Sequence, residues 1–167
     1  MRFEKVTYEA FKSDMIKYGW SEELAREAYD NIRMPERKTK YSAGYDISSS
    51  FSFKMMPGER ITIPTGIKAV FSPDEAKSFH LQLFIRSSVG INRHVVMSNQ
   101  TGVIDSDYAG NIDNDGDMLI AIWNTSDHVA IFDAGERIIQ AIFMIHGLTT
   151  DDHAEGERIG GVGSTNE

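Results

Sequence analysis

The sequence predicts an all-β fold for most of the chain, in the form of a β-barrel or a double-sheet jelly roll. Short apolar segments recur after Tyr41, turn signals that contain proline or glycine separate them, and no helical period of useful length interrupts the series. The predicted strands are Phe51–Met55, Arg60–Ile63, Ile67–Phe71, Ser78–Ile85, Val95–Ser98, Met118–Trp123, His128–Phe132 and Arg137–Ile145.

The two ends of the chain differ from this β-domain, which we place at residues 34–148. Apolar residues at Phe11 and Met15 follow a helical spacing that stops at Gly19, and Ser21 is a favourable N-cap for a second helix. Residues 1–33 are therefore predicted to form a helical appendage, structural or partner-binding. Residues 149–167 are rich in glycine and polar residues without an apolar period, which predicts a flexible arm.

Composition excludes several functional classes. The chain has 167 residues, a formal net charge of −8 and no cysteine. This length fits one domain. The negative net charge argues against a non-specific nucleic-acid binder, which needs a basic surface. No apolar run approaches the roughly 20 residues of a membrane-spanning helix. The absence of thiols fits a reducing, cytoplasmic location.

The segment Gly102–Gly110 is the strongest candidate for a functional site. Two apolar residues run into Asp105, a polar turn follows, and Tyr108 comes three residues later. This pattern predicts a strand that enters a tight hairpin and displays both side chains at its lip. Such an Asp can act as a general base on water, although it can also simply cap its own turn.

The adjoining segment Asn111–Asp117 has two interpretations. Its first half fits a calcium-binding loop, but Ile122 stands where that loop needs a glutamate. The pair Asp115-Gly116 between apolar strands indicates a hairpin turn instead, and we prefer this interpretation.

Four further segments carry groups suited to acid or phosphate chemistry. Asp46 follows a glycine-containing bend, Arg86 with two serines follows an apolar strand, and Gln140 lies in the last long strand. The segment Arg158–Thr165 combines glycines with arginine, serine and threonine, which can place backbone and side-chain donors around phosphate oxygens.

In this order, the five segments resemble the five motifs of the trimeric dUTPase (deoxyuridine triphosphate nucleotidohydrolase) family, of the type found in phages and bacteria. The resemblance extends from Ser42 to Thr165 and leaves the N-terminal helices outside it. It implies a dUTPase-like β-barrel or distorted jelly roll and Mg²⁺-assisted hydrolysis of dUTP to dUMP and pyrophosphate, which limits uracil incorporation into DNA. It also implies a homotrimer with shared active sites, in a bacterial host cytoplasm if the chain is phage-encoded.

The resemblance implies roles for individual residues. Asp105 is implied to activate the water that attacks the α-phosphate, and Asp46 to hold magnesium through water. Tyr108 is implied to pack under the deoxyribose and leave no room for a 2′-hydroxyl. The remaining implied substrate contacts, to uracil, to phosphate or from the closing arm, are Asn99, Gly102, Ile104, Arg86, Ser87, Ser88, Gln140, Arg158, Val162, Gly163, Ser164 and Thr165.

The chain departs from the family pattern at the arm. Val162 stands where the family usually carries an aromatic residue that stacks on uracil, and Asn166 replaces a terminal glycine. The first departure predicts weaker closure without loss of chemistry. Residues Asp113–Asp117 resemble a small insertion.

Two alternative functions stay open. A dCTP deaminase on the same fold needs an acid on the strand after the third motif, and Met118–Ile122 offers none. A dUTPase-like regulator would instead bind a partner protein, with residues 1–33 as the contact surface.

Overall fold

Eleven short strands and three α-helices make up the part of the chain that this computed structural model describes, which is residues 1–156, Arg158, Gly160 and Gly161. The strands are β1 (Arg2–Lys5), β2 (Gly44–Ser48), β3 (Phe53–Met55), β4 (Arg60–Pro64), β5 (Ile67–Val70), β6 (Phe79–Ile85), β7 (Val95–Met97), β8 (Gly102–Ile104), β9 (Leu119–Asn124), β10 (Ala130–Phe132) and β11 (Arg137–Ile145). The helices are α1 (Tyr8–Lys17), α2 (Glu22–Asp30) and α3 (Ser87–Arg93).

The strands pair antiparallel in four small sheets. The largest sheet has the order β2-β11-β6-β8, and a second has the order β4-β9-β7. Two-stranded sheets join β1 to β5 and β10 to β3. Along β9, buried residues alternate with partly exposed ones, as expected for a strand with one face on a core. The predicted all-β, jelly-roll class is therefore confirmed.

The periodic pattern located eight strands, and the segment Gly102–Gly110 located a ninth, β8. The eight predicted strands coincide with β3–β7, β9, β10 and β11 to within a few residues. The pattern did not indicate β1 or β2 as strands. It indicated no helix of useful length within the β-domain, where the structure has one short helix, the seven-residue α3 that begins at Ser87.

The predicted hairpin around Asp105 is wrong. Strand β8, which precedes Asp105, pairs with β6 in the largest sheet, whereas the next strand, β9, belongs to another sheet. Asp115 and Gly116 do form a turn with positive φ angles of 57° and 89°, but this turn does not join two paired strands. The segment between β8 and β9 is instead a loop that crosses from one sheet to the other.

The two N-terminal helices begin at the side chains that cap them. Thr7 Oγ1 accepts a hydrogen bond from Ala10 N at 3.3 Å, and Ser21 Oγ accepts one from Leu24 N at 3.2 Å. Each cap satisfies a backbone donor that the first turn leaves without a partner. Gly19, with φ of +87°, lets the chain leave α1 and turn towards α2. The predicted N-cap at Ser21 is confirmed.

These helices share the hydrophobic core of the sheets. Phe11 and Met15 of α1 are fully buried, as is Ala28 of α2. Strand β1 holds the segment further, because it pairs with β5 from Arg2↔Val70 to Lys5↔Ile67. No helix in the described part of the chain is long and apolar enough to cross a membrane.

Candidate active site

Asp105 lies at the end of β8, at the edge of a cavity of about 380 Å³. Its side chain is 54% exposed, and its backbone carbonyl accepts a hydrogen bond from Tyr108 N at 3.1 Å, which closes a tight turn. The structure thus presents this carboxylate to solvent, as the sequence predicted. The residues that line the cavity are His80, Val103, Asp105, Ser106, Asp107, His146 and Arg158.

Arg158 brings the start of the C-terminal arm into the same cavity. Its Nη2 donates to Asp105 Oδ2 at 2.5 Å, and its Nε donates to Asp107 Oδ1 at 2.8 Å. Burial lowers the pKa of this guanidinium, but the hydrogen bond to Asp107 and the attraction of both carboxylates outweigh burial, so the pKa is raised. Arg158 is therefore a permanent cation beside the candidate base.

Tyr108 is buried, which corrects the prediction that it stands exposed at a hairpin lip. It is 7% exposed, and its Oη donates to the carbonyl of Asp117 at 3.1 Å. Burial raises the pKa of the phenol to about 12. The Arg158 guanidinium carbon lies 5.6 Å from the ring centroid, so the ring borders the arm although its hydroxyl is turned inward.

A second cluster joins three of the predicted motifs around Asp46. Its Oδ1 lies 3.0 Å from Arg86 Nε, and its Oδ2 accepts from Arg137 Nη1 at 2.8 Å. Gln140 on β11 lies opposite Asp46 on β2 in the strand register. The carboxylate is only 9% exposed, so its bonds hold the two guanidinium groups in place beside Gln140. The result is a corner of the surface, defined by Arg86, Arg137 and Gln140, that carries positive charge and an amide group.

Ser87 and Ser88 extend this corner at the surface. Both are exposed in the first turn of α3, for which Arg86 is the N-cap. The backbone N–H of Arg86 donates to Ile138 O at 2.9 Å, which fixes the start of the helix against β11. Within the described part of the chain neither hydroxyl has a hydrogen-bond partner, so both can meet a ligand from solvent.

The predicted uracil contacts lie on and before β8. Asn99 is exposed in a turn, and its carbonyl accepts a hydrogen bond from Thr101 N at 2.7 Å. Gly102 packs against Leu83, whose Cβ would lie 3.2 Å from an added Cβ, and Ile104 is 7% exposed. The predicted arm residues Val162, Gly163, Ser164 and Thr165 lie outside the described residues.

The two clusters do not meet within one chain. Leu81 pairs with Ile104, so Asp105 lies beside the start of β6, whereas Arg86 follows the other end of that strand. His80, which lines the Asp105 cavity, precedes Arg86 by six residues, about 20 Å at the usual rise of an extended strand. Most of the length of β6 therefore separates the two clusters within one chain.

A magnesium ion has few direct ligands in this arrangement. The described residues contain no group of three or more His, Asp or Glu side chains that could hold a metal ion. Both oxygens of Asp46 already contact arginines. Direct coordination of a metal ion by Asp46 would therefore compete with these two arginines.

Several residues at these sites carried no signal in the sequence. His80 Nδ1 and His146 Nδ1 lie 3.2 Å apart at the cavity edge, although 66 positions separate them in the chain. Arg137 belongs to a segment that the motif analysis identified, but only the register of β11 against β2 shows that it contacts Asp46. Long-range pairing of this kind is not encoded in local periodicity.

Comparison with known proteins identifies relatives of the chain. A sequence model of the dUTPase family matches residues 30–165. Deoxyuridine 5'-triphosphate nucleotidohydrolase of Lactococcus lactis subsp. lactis (strain IL1403) is 39% identical over 136 residues, which are 80% of this chain and 88% of that relative. These matches define an enzyme class, the nucleotidohydrolases.

Solved structures share the fold. The dUTPase from Streptococcus mutans superposes with a TM-score of 0.68 at 30% identity, over 89% of this chain and 98% of the other. The dUTPase of Staphylococcus bacteriophage 80alpha superposes with a TM-score of 0.61 at 25% identity, over 77% of this chain and 92% of the other, and is described among phage dUTPases that control transfer of virulence genes. The chain belongs to the dUTPase family.

Proposed function

We propose that the chain hydrolyses dUTP to dUMP and pyrophosphate, with Asp105 as the general base. The observation that carries this proposal is the exposed carboxylate of Asp105 at the rim of a cavity, in a chain of the dUTPase family. A carboxylate in this position can accept a proton from the water that attacks the α-phosphate. Proton transfer of this kind contributes roughly 100- to 10,000-fold to an enzymatic rate.

The proposed phosphate contacts come from the Asp46 cluster. Arg86, with the hydroxyls of Ser87 and Ser88, offers donors for phosphate oxygens, and Gln140 offers an amide beside them. Arginine suits this task because its fork of N–H donors matches the geometry of phosphate oxygens. Asp46 keeps Arg86 in place through the 3.0 Å contact. When bound on the triphosphate, Mg²⁺ would offset its negative charge.

The proposed base site comes from the Asp105 cluster of another subunit. In this proposal, the backbone around Gly102 and Ile104, with Asn99, reads the edge of uracil, and Tyr108 borders the deoxyribose. A buried site that hydrogen-bonds one base rejects another strongly, because mismatched polar groups stay unpaired. We further propose a homotrimer whose subunits share active sites, since the two clusters are separated by most of β6 within one chain.

The arm is proposed to close over the bound nucleotide. Arg158 already lies in the cavity on Asp105 and Asp107, so it can transfer to a phosphate when substrate enters. Residues Val162, Gly163, Ser164 and Thr165 are proposed to follow it. Such closure excludes bulk water while the phosphate bond breaks.

The decisive experiment measures pyrophosphate release from dUTP, with dCTP, dTTP and UTP as competitors, in the presence and absence of magnesium. We expect hydrolysis of dUTP alone, and a loss of roughly 100-fold or more in Asp105→Asn. Asp107→Asn is the matched comparison, because it also removes an acidic partner of Arg158 while it leaves the base, and it should lose far less.

Two results would contradict the proposal. Native protein that binds dUTP without hydrolysing it would favour a regulator that uses the motifs for recognition. Equal rates in the Asp105→Asn variant and the native protein would remove Asp105 as the base.

A further inference from the structure

A buried hydrogen-bond network connects helix α1 to Tyr108. Asp14 of α1 is 3% exposed, and its Oδ2 accepts a hydrogen bond from Asn114 Nδ2 at 3.1 Å. Asn114 is 4% exposed and lies 100 positions further along the chain. The same Nδ2 donates to Tyr108 Oη at 3.1 Å. One amide group therefore links the N-terminal helix α1 to Tyr108, the tyrosine of the proposed sugar site.

The orientation of the Asn114 amide is fixed by its other contacts. Its Oδ1 accepts hydrogen bonds from Gly116 N at 3.1 Å and from Asn111 Nδ2 at 2.9 Å. The Nδ2 group must therefore face the opposite way, towards Asp14 and Tyr108. Its two hydrogens are shared among three acceptors, which are Asp14 Oδ2, Tyr108 Oη and the Asp117 carbonyl at 3.2 Å. The Tyr108 hydroxyl donates its own hydrogen to that carbonyl at 3.1 Å. Each donor in this hydrogen-bond network therefore has an acceptor.

The loop that carries Asn114 is held from two further directions. Thr7 N, at the start of α1, donates to Asp115 Oδ2 at 2.9 Å, and Lys68 Nζ on β5 lies 2.8 Å from Asp115 Oδ1. On the outer side, Gly161 N of the arm donates to Asp113 Oδ2 at 2.8 Å. The loop thus lies between the N-terminal helix and the arm.

We propose that Asp14, acting through Asn114, is a positioning residue that fixes the Tyr108 ring and thereby sharpens the discrimination between deoxyribose and ribose nucleotides. This inference rests on the proposed dUTP hydrolysis. Steric exclusion of the ribose 2′-hydroxyl requires that the Tyr108 ring does not move, even by a fraction of an ångström. The Tyr108 hydroxyl is held by a donor, Asn114 Nδ2, and an acceptor, the Asp117 carbonyl, so the ring is fixed. A ring whose hydroxyl lacks these bonds can shift.

The inference assigns a task to residues 1–33. The proposed catalytic residues lie outside this segment, yet α1 supplies the carboxylate at the end of the network. Asp14→Ala removes an acceptor from a buried amide, which is one of the costlier changes to a hydrogen-bond network. Without Asp14, the Asn114 amide loses the acceptor on its α1 side and can move closer to the Asp117 carbonyl, to which it already donates at 3.2 Å, at the expense of its bond to Tyr108 Oη.

The test compares kcat/KM for dUTP with kcat/KM for UTP, and takes the ratio as the readout. We expect Asp14→Ala to lower this ratio about tenfold, which corresponds to the loss of about one hydrogen bond. Asp14→Asn keeps an oxygen that can accept from Asn114, so it should retain most of the ratio. A general loss of structure would lower both kcat/KM values and leave their ratio unchanged.

Two variants on the same helix serve as controls. Glu9→Ala removes an exposed acidic side chain of α1 and should change neither rate nor ratio. Met15→Ala removes a fully buried side chain next to Asp14, so it should lower the thermal midpoint while the dUTP/UTP ratio stays at the native value. A ratio that falls equally in Met15→Ala would overturn the proposal, because loss of packing alone would explain it.

Tyr108→Phe tests the same network without a change in α1. It removes the hydroxyl and keeps the ring, so it should lower the ratio as Asp14→Ala does, and the double variant should fall no further than either one. If Asp14→Ala does not fold, Tyr108→Phe still tests whether the network sets the dUTP/UTP ratio. An unchanged ratio in Tyr108→Phe contradicts the inference. Native hydrolysis of dUTP in the same assay keeps that result distinct from failure of the proposed function.

Discussion

At the residue scale, the Gln140 side chain of the proposed phosphate site packs against the backbone of Gly44. A Cβ added at Gly44 would lie 2.0 Å from Gln140 Cγ and 2.5 Å from its Cδ, far inside van der Waals contact. Gly44 begins β2 and is buried, so the Gln140 side chain lies directly over the bare backbone. The glycine therefore determines where the amide of Gln140 can lie.

We expect Gly44→Ala to displace Gln140 and raise KM for dUTP about tenfold, with a smaller effect on kcat, because a misplaced amide loses one phosphate contact worth about 1–2 kcal/mol. Steady-state kinetics measure this. Gly58→Ala is the control, since nothing lies within 4 Å of the added Cβ and Gly58 precedes β4, which belongs to a different sheet from the strand of Gln140. A Gly44→Ala enzyme with native KM would show that Gln140 does not contact the substrate.

At the element scale, α1 contributes core residues as well as the Asp14 contact. Phe11 is fully buried, and its ring centroid lies 5.7 Å from that of Tyr29 on α2. Trp20, in the connection between the helices, donates from Nε1 to the carbonyl of Thr62 on β4 at 2.9 Å. The helical segment is thus held to the β-domain by side-chain burial and hydrogen bonds, in addition to the pairing of β1 with β5.

Replacement of Phe11 by Ala should reduce the free energy of unfolding by about 3–5 kcal/mol, the usual cost of the cavity left by a buried phenylalanine. Ile16→Ala on the same helix is the control, because Ile16 is 48% exposed and should cost no more than about 0.5 kcal/mol. Equilibrium denaturation of both variants measures the difference. Equal costs for the two would show that α1 does not pack on the core in solution.

At the scale of the whole molecule, the two proposed half-sites lie at opposite ends of β6. Asp105 and Arg158 form one half-site, and Asp46 with Arg86 and Gln140 forms the other. If one catalytic site takes a half from each of two subunits, inactive variants with defects in different halves can complement each other.

We expect co-expressed Asp105→Asn and Arg86→Ala subunits, purified as mixed assemblies through two different tags, to recover part of the native dUTP hydrolysis. Some sites in the mixture combine an intact Asp105 with an intact Arg86. Arg86→Ala subunits that carry both tags, without an Asp105→Asn partner, are the control, because every Arg86 half is then defective and no intact site can form. Recovery in the control, or none in the first mixture, would contradict a shared site.

The sequence by itself determined the β-domain and the chemistry-bearing residues. Short apolar segments separated by turn signals predicted β11 at its observed bounds, and the cap at Ser21 predicted the start of α2. The motif around Asp105 predicted an exposed carboxylate, which the structure has. These features are local, because side-chain period, turn residues and caps act over a few neighbouring positions.

Only the tertiary structure decided which segments pair with one another. The short strand β1 forms because β5 offers it a partner, and β8 pairs with β6 and forms no hairpin with β9. Tyr108 is buried rather than displayed because Asn114 and the Asp117 carbonyl hold its hydroxyl, and Asn114 in turn meets Asp14 across 100 positions. Contacts of this range depend on how the elements pack, and no local period of the sequence records that choice.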